Sequence, residues 1–185
     1  MYRLLFVANA LLCLRMSSSS HSWPELNPAL GKYQDSGKCF PLTEPWYLVF
    51  RNYESDLLFG GNARCIKFAE TGPPASGEYP FLVEYGNVSI DAKVTLRSSS
   101  GYTNENIIDF TAIKENTSTE LYVAYLECST CLIQRQTYIS DTACTFLVPE
   151  SRLGQNNSCC EFIFDLLCGA SPKFYISDES CTTHK

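Results

Sequence analysis

The sequence predicts an all-β domain: an eight-stranded antiparallel up-and-down barrel, with one helix packed outside it and disulfides stapling the parts together. Three observations predict it. Eight short runs alternate apolar and polar residues with period two and are separated by turn residues. One late segment carries apolar residues at helical spacing. Ten cysteines in 185 residues are a density expected of an oxidising compartment. Full closure suits such strands because it removes exposed sheet edges, and a barrel of this size holds one small ligand. A sandwich is the other arrangement of short strands; the late helix favours the barrel.

The first 22 residues read as a secretory leader. Arg3 supplies the charge, Leu4 to Leu14 a short apolar run, and Ser17 to Ser20 small residues before a cut placed between Met16 and Trp23. The run is too short to span a bilayer. Residues 23–185 then form a single domain, expected to be secreted and monomeric. Lys plus Arg number 14 against 20 for Asp plus Glu, an acidic balance that argues against a nucleic-acid surface or a polybasic membrane anchor. Sequons at Asn87, Asn116 and Asn156 fit the same compartment as the cysteines.

A polar lead from Trp23 to Lys38 comes first, with room for one helical turn over Pro28 to Gln34. Pro45 to Phe68 is the organising stretch. Trp46, Leu48 and Phe50 alternate with Tyr47, Val49 and Arg51 in a first strand. Gly60, Gly61 and Asn62 break the pattern, and a second strand runs from Arg64 to Phe68. Thr71 to Gly77 is a turn. Further strands are expected at Tyr79–Tyr85, Ser89–Leu96, Asn106–Ile113, Glu120–Cys128, Cys131–Tyr138 and Ala143–Val148. In the sixth, Leu121, Val123 and Tyr125 share one face, and Tyr122, Ala124 and Leu126 the other. The helix is Ser158 to Cys168, with Phe162, Ile163, Leu166 and Leu167 at helical spacing. Ser158 and Glu161 have capping-box spacing and Gly169 is a stop. Lys173 to Ile176 adds a last short strand.

Several of these segments together resemble the tick salivary lipocalins, the histamine-binding protein family. They are KCFPLTEPWYLVFRNYESDLLFGGNARC from Lys38, YTNENIIDF from Tyr102, YLEC ending at Cys128, ACTFLV from Ala143, CCEFIFDLLCG from Cys159, and the final Cys181. Lipocalins at large carry Gly-x-Trp at the first strand; here Glu44-Pro45-Trp46 keeps only the Trp. The resemblance implies a barrel around a ligand cavity and a disulfide-held C-terminal helix. It implies that Cys65 pairs with Cys181, and that Cys128 pairs with the start of the helix at Cys160 or Cys159. For the remainder we expect Cys39 with Cys159 and Cys144 with Cys168, leaving Cys131 free; connectivity is not fixed by sequence.

The resemblance also implies a function: binding and sequestering a small host mediator at the feeding site, either a biogenic amine such as histamine or serotonin or a lipid such as a leukotriene. A barrel whose loops bind a host protein of complement, clotting or leukocyte signalling is the alternative, with Thr71–Gly77 and Ser151–Asn157 as contact loops. Amine binders need carboxylates inside the barrel, because a buried ammonium must be paired, and rings add cation–π attraction. Carried over by resemblance, Tyr53 and Asp56 match the Tyr and Asp of the histamine pocket, Phe59 stands where that pocket has a Trp, and Ile108 and Phe110 match pocket-lining positions. The second pocket carboxylate is absent, its place taken by Thr145, so a more apolar pocket suits a lipid. Asp56 reads equally as a turn carboxylate facing water.

No enzyme is expected. The two histidines, His21 and His184, lie at the termini, so a nucleophile has no positioned imidazole base. Cys128-x-x-Cys131 lacks the βαβ setting of a redox pair and the second ligand pair of a zinc site. No metal or cofactor is expected.

Overall fold

The computed structural model describes residues 23–182; the expected leader and both histidines lie outside the described residues. Eight strands close into one antiparallel barrel: β1 (Trp46–Arg51), β2 (Lys67–Glu70), β3 (Glu78–Tyr85), β4 (Val88–Arg97), β5 (Ile107–Ala112), β6 (Thr117–Glu127), β7 (Cys131–Arg135) and β8 (Cys144–Pro149). Each pairs with the next, and β1 closes the ring by pairing with both β8 and β2. A two-residue β9 (Phe174–Tyr175) adds to β1 from outside. The helix α1 (Ser158–Cys168) follows the barrel. The lead forms three short 3-10 turns, the second over Pro28–Tyr33 with the Asn27 side chain accepting from the Ala29 N–H.

Expected and observed strands differ most where the backbone leaves the ladder. The second strand starts at Lys67 rather than Arg64, because Cys65 has φ of 56° and its N–H donates to Ile176. The seventh ends at Arg135, where residues 137–142 turn towards β8. The sixth starts three residues early, at Thr117.

Two bulges overturn the expected face assignments. In β1 the register against β8 shifts between Leu48 and Phe50. A bulge inserts one residue and reverses the faces beyond it. Trp46 and Leu48 face the barrel interior, but Phe50 turns outward, where it stacks on Phe146 at 4.6 Å and meets Phe164 at 4.9 Å. Arg51 falls opposite Thr145 and so shares its inward face. In β6 a shift between Val123 and Tyr125 does the same. Leu121, Val123 and Leu126 point inward, while Ala124 and Tyr125 join the outer cluster.

That outer cluster receives α1. The buried stripe of the helix is Cys160, Phe164 and Cys168, at i, i+4 and i+8. Phe162 and Leu166 are 68% and 71% exposed, contrary to the expected apolar face, because the stripe is set by the residues bridged to the barrel. Ser158 is the first helical residue, not the cap; its N–H donates to the Asn156 side chain. Glu161 lies beside Lys173 instead of closing a capping box.

Four disulfides join the parts. Cys65–Cys181 and Cys144–Cys168 are as expected. The other two correct the expectation: Cys39 pairs with Cys128, Cys131 with Cys160, and Cys159 is free and exposed. The reason is geometric. Cys128 lies just past β6, at the barrel end where the lead arrives, with Cα atoms of Cys39 and Cys128 5.2 Å apart. Cys131 opens β7 facing outward, beneath the helix, 6.4 Å from Cys160; both separations are bridgeable. Cys159 is rotated one residue round the helix from Cys160 and points away.

A buried ion pair also ties the lead to this assembly. Glu25 and Arg135 are 0% and 4% exposed at their side chains and hydrogen-bonded to each other. Arg135 also donates to the carbonyls of Asp141 and Leu167. Replacing Glu25 by Ala strands a buried guanidinium, and we expect a loss of about 3–5 kcal/mol, measured by chemical denaturation. Among the nine cysteines of the described residues, alkylation of the native, unreduced protein should label Cys159 alone, read by peptide mass mapping.

Candidate functional site

Inward side chains of the barrel leave a main chamber of about 50 Å³, lined by Phe40, Trp46, Phe81, Ile108, Phe110 and Leu132 among others. Gln134 is the one polar side chain in its lining. A smaller annex of about 10 Å³ adjoins it and shares Phe68, Leu121, Gln134 and Leu147. Leu48, Phe59, Gln136 and Thr145 complete the annex. Measured this way, one water needs about 10–15 Å³, so the annex is water-sized and the chamber holds little more than a few waters. Ligand pockets usually run to about 300–1,000 Å³. A ligand of that size would have to widen the chamber.

The end of the barrel near Tyr53 is covered. Residues 52–66 fold over it as a lid. Asp56 and Gly61 pair across the loop, with Gly60 and Gly61 at φ of 79° and 61°, a conformation that favours glycine. The lid carries Phe59 into the barrel, with its ring 4.9 Å from Phe110 and 5.5 Å from Phe68. The chamber lining instead reaches Cys39, Phe40 and Leu42 at the opposite end.

Asp56 neither faces water nor lines the chamber. It is 1% exposed. Its Oδ1 accepts from the N–H groups of Leu58 at 3.0 Å and Phe59 at 3.2 Å. Its Oδ2 accepts from the hydroxyls of Tyr53 and Tyr138, each at 2.7 Å. Four donors thus occupy the carboxylate. Tyr138 belongs to the β7–β8 connection, so this contact latches the lid to the far wall. Beneath lies Arg51, 0% exposed, 5.2 Å over the Tyr53 ring. Its Nη2 donates to the carbonyls of Glu54 and Gly61, while Nε and Nη1 have no partner.

Of the five residues expected to contact a ligand, Ile108 and Phe110 line the chamber and Phe59 lines the annex. Tyr53 and Asp56 belong to the latch. Gln134 and Gln136 were missed, although their signal is in the sequence: they continue the inward phase of Leu132 along β7. Thr145, noted only as a lost carboxylate, accepts a hydrogen bond from Gln136 Nε2 at 2.8 Å. Among the described residues no His, Cys, Asp and Glu side chains gather as a metal site, and no described helix is long and apolar enough to cross a membrane.

Burial, then the negative charge of Asp56 beside it, pushes the Tyr53 phenol far above its ordinary value of 10.0. Burial, followed by Tyr53 and Asp56, does the same for Tyr138. Unfolded phenols ionise near pH 10 while these stay protonated, so the native state holds more protons there and loses stability as pH rises past about 10. Denaturant midpoints taken from pH 8 to 11 should fall above pH 10, and the fall should shrink in Tyr53→Phe and Tyr138→Phe. Equal slopes in all three proteins would remove the latch from this account.

The family model described as tick histamine binding protein matches residues 24–183. No curated protein matches the chain. Two solved structures share its fold. The AM182 serotonin complex is 16% identical with a TM-score of 0.55, covering 79% of this chain and 90% of that one. Japanin from Rhipicephalus appendiculatus bound to cholesterol is 14% identical with a TM-score of 0.55, covering 75% and 95%. With the match spanning the barrel, the lid and the helix, this chain belongs to the tick histamine-binding protein family.

Proposed function

We propose that this chain is a secreted carrier that captures a small, mainly apolar host mediator in its barrel at the feeding site, without chemical turnover. The observation that carries this reading is the chamber lining, apolar but for Gln134. An ammonium brought there would lose its hydration with no carboxylate to replace it. Asp56 is saturated by the latch, and the second carboxylate position holds Thr145. The chamber therefore favours a lipid over histamine or serotonin. The related folds support capture of small molecules in general, one having been solved with serotonin and the other with cholesterol. The leader over 1–22 and glycans at Asn87, Asn116 and Asn156 belong to the same proposal; all three asparagines are exposed.

A second reading has its own observation. The connections at the lid end carry exposed aliphatic side chains: Leu57 at 94%, Ile113 at 57% and Val88 at 45%. Such a collar fits docking of a host protein, in place of the contact loops expected at Thr71–Gly77 and Ser151–Asn157.

Intrinsic fluorescence separates the two readings. Trp46 lines the chamber, whereas Trp23 packs outside the barrel against Tyr122 at 5.9 Å. Titration of delipidated protein with leukotrienes and fatty acids should change the emission saturably, at lower concentration than serotonin or histamine, and Trp46→Phe should abolish the change. Silence with every small molecule, by fluorescence and by heat, would favour the docking surface.

A further inference from the structure

The annex has a composition the main chamber lacks. Gln134, Gln136 and Thr145 bring three polar side chains to one end of an otherwise apolar interior. Gln136 is 1% exposed. Its amide is held by Thr145 Oγ1 at 2.8 Å, and its Oε1 is buried with no hydrogen-bond partner. Buried polar groups without partners are rare and costly, and Gln136 lines a space the size of a single water.

We propose that the annex is the head-group subsite of the chamber and takes an uncharged hydroxyl, so that the ligand is an apolar molecule with one terminal hydroxyl directed towards the lid. This inference rests on the container reading above and narrows its ligand class. Three features select the head group. The annex is the size of one water, so a hydroxyl oxygen enters it with less widening than a carboxylate. The orphan on Gln136 is an acceptor, which a hydroxyl satisfies by donating. Were the amide rotated, the orphan would be a donor and the same hydroxyl would accept; an ammonium suits only the first arrangement and a carboxylate only the second. Finally, Arg51 sits opposite Thr145 in the ladder, fully buried and always charged. Its charge disfavours an ammonium at the annex. Arg51 lines neither the annex nor the chamber, so a carboxylate there gains its field but no hydrogen bond from it to replace the lost hydration.

Probes with one tail and three heads test this: 1-octanol, octanoate and octylamine, each titrated into the delipidated full chain by calorimetry. Octanol should bind at least about tenfold more tightly than either charged probe. Gln136→Leu should shrink that lead to within about threefold, and Thr145→Val, which removes the anchor of the amide, should shrink it as well. Octanoate or octylamine binding most tightly to the wild type would overturn the proposal, as would an octanol lead that survives both substitutions. If one variant fails to fold, the other and the wild-type ranking still decide. Failure of all three probes to bind the wild type would instead overturn the container reading, and this inference with it; tight binding of a charged probe would leave the container standing and overturn the head group alone.

Discussion

The bulge between Leu48 and Phe50 divides the labour of β1. In six residues this strand closes the barrel, supports β9 and supplies both sides of the wall. Without the extra residue, regular alternation would place Phe50 inside with Trp46 and Leu48, and Arg51 outside. With it, Phe50 forms the floor on which α1 rests, through Phe146 and Phe164. The chamber is thereby left without a third large side chain from β1, and Arg51 is turned in beneath the lid. The outer core, the size of the cavity and the electrostatics of the lid all follow from that one irregularity.

A buried arginine is an expensive thing to place under a lid, since desolvating a charge costs several kcal/mol unless it is compensated. Part of the compensation is local: two backbone carbonyls on Nη2 and the face of Tyr53. Asp56 accepts from the hydroxyl of the same tyrosine. Tyr53 thus links cation and carboxylate, its ring under Arg51 and its hydroxyl on Asp56, with no direct ion pair between them. Charge-assisted hydrogen bonds of this kind contribute about 1.5–3 kcal/mol each. They organise the loop, aim Phe59 into the barrel and leave Asp56 no free lone pair directed at a ligand. A residue type that serves amine recognition elsewhere here serves the architecture.

The disulfides work with this arrangement from outside. Cys131–Cys160 and Cys144–Cys168 fasten the two ends of α1 across β7 and β8, while Cys39–Cys128 fastens the lead beneath the chamber and Cys65–Cys181 fastens the tail beside β2. In a chain-entropy picture each long-loop bridge contributes about 2–4 kcal/mol by restricting the unfolded chain. The lid is held at its end by Cys65–Cys181 and at its centre by the hydrogen bonds on Asp56.

Much of the fold was legible in the residues themselves. Period-two runs and turn residues located eight strands, and helical spacing located α1, because those periodicities are local properties of the backbone. Family resemblance carried one of the four bridges, Cys65–Cys181, and the pairing expected for the remaining cysteines gave a second, Cys144–Cys168. The resemblance also implied an interior poor in carboxylates, since Thr145 stands where amine binders of the family carry a second acid. The faces of β1 and β6 beyond their bulges were decided only by the tertiary structure, because a bulge changes phase without altering the local pattern. So was the pairing of Cys131 rather than Cys159, which depends on which cysteine faces the wall. The surroundings of Asp56 were decided in the same way: its four donors come from Tyr53, Leu58, Phe59 and the distant Tyr138, and a contact across 82 residues exists only once the barrel has closed and brought the two connections together.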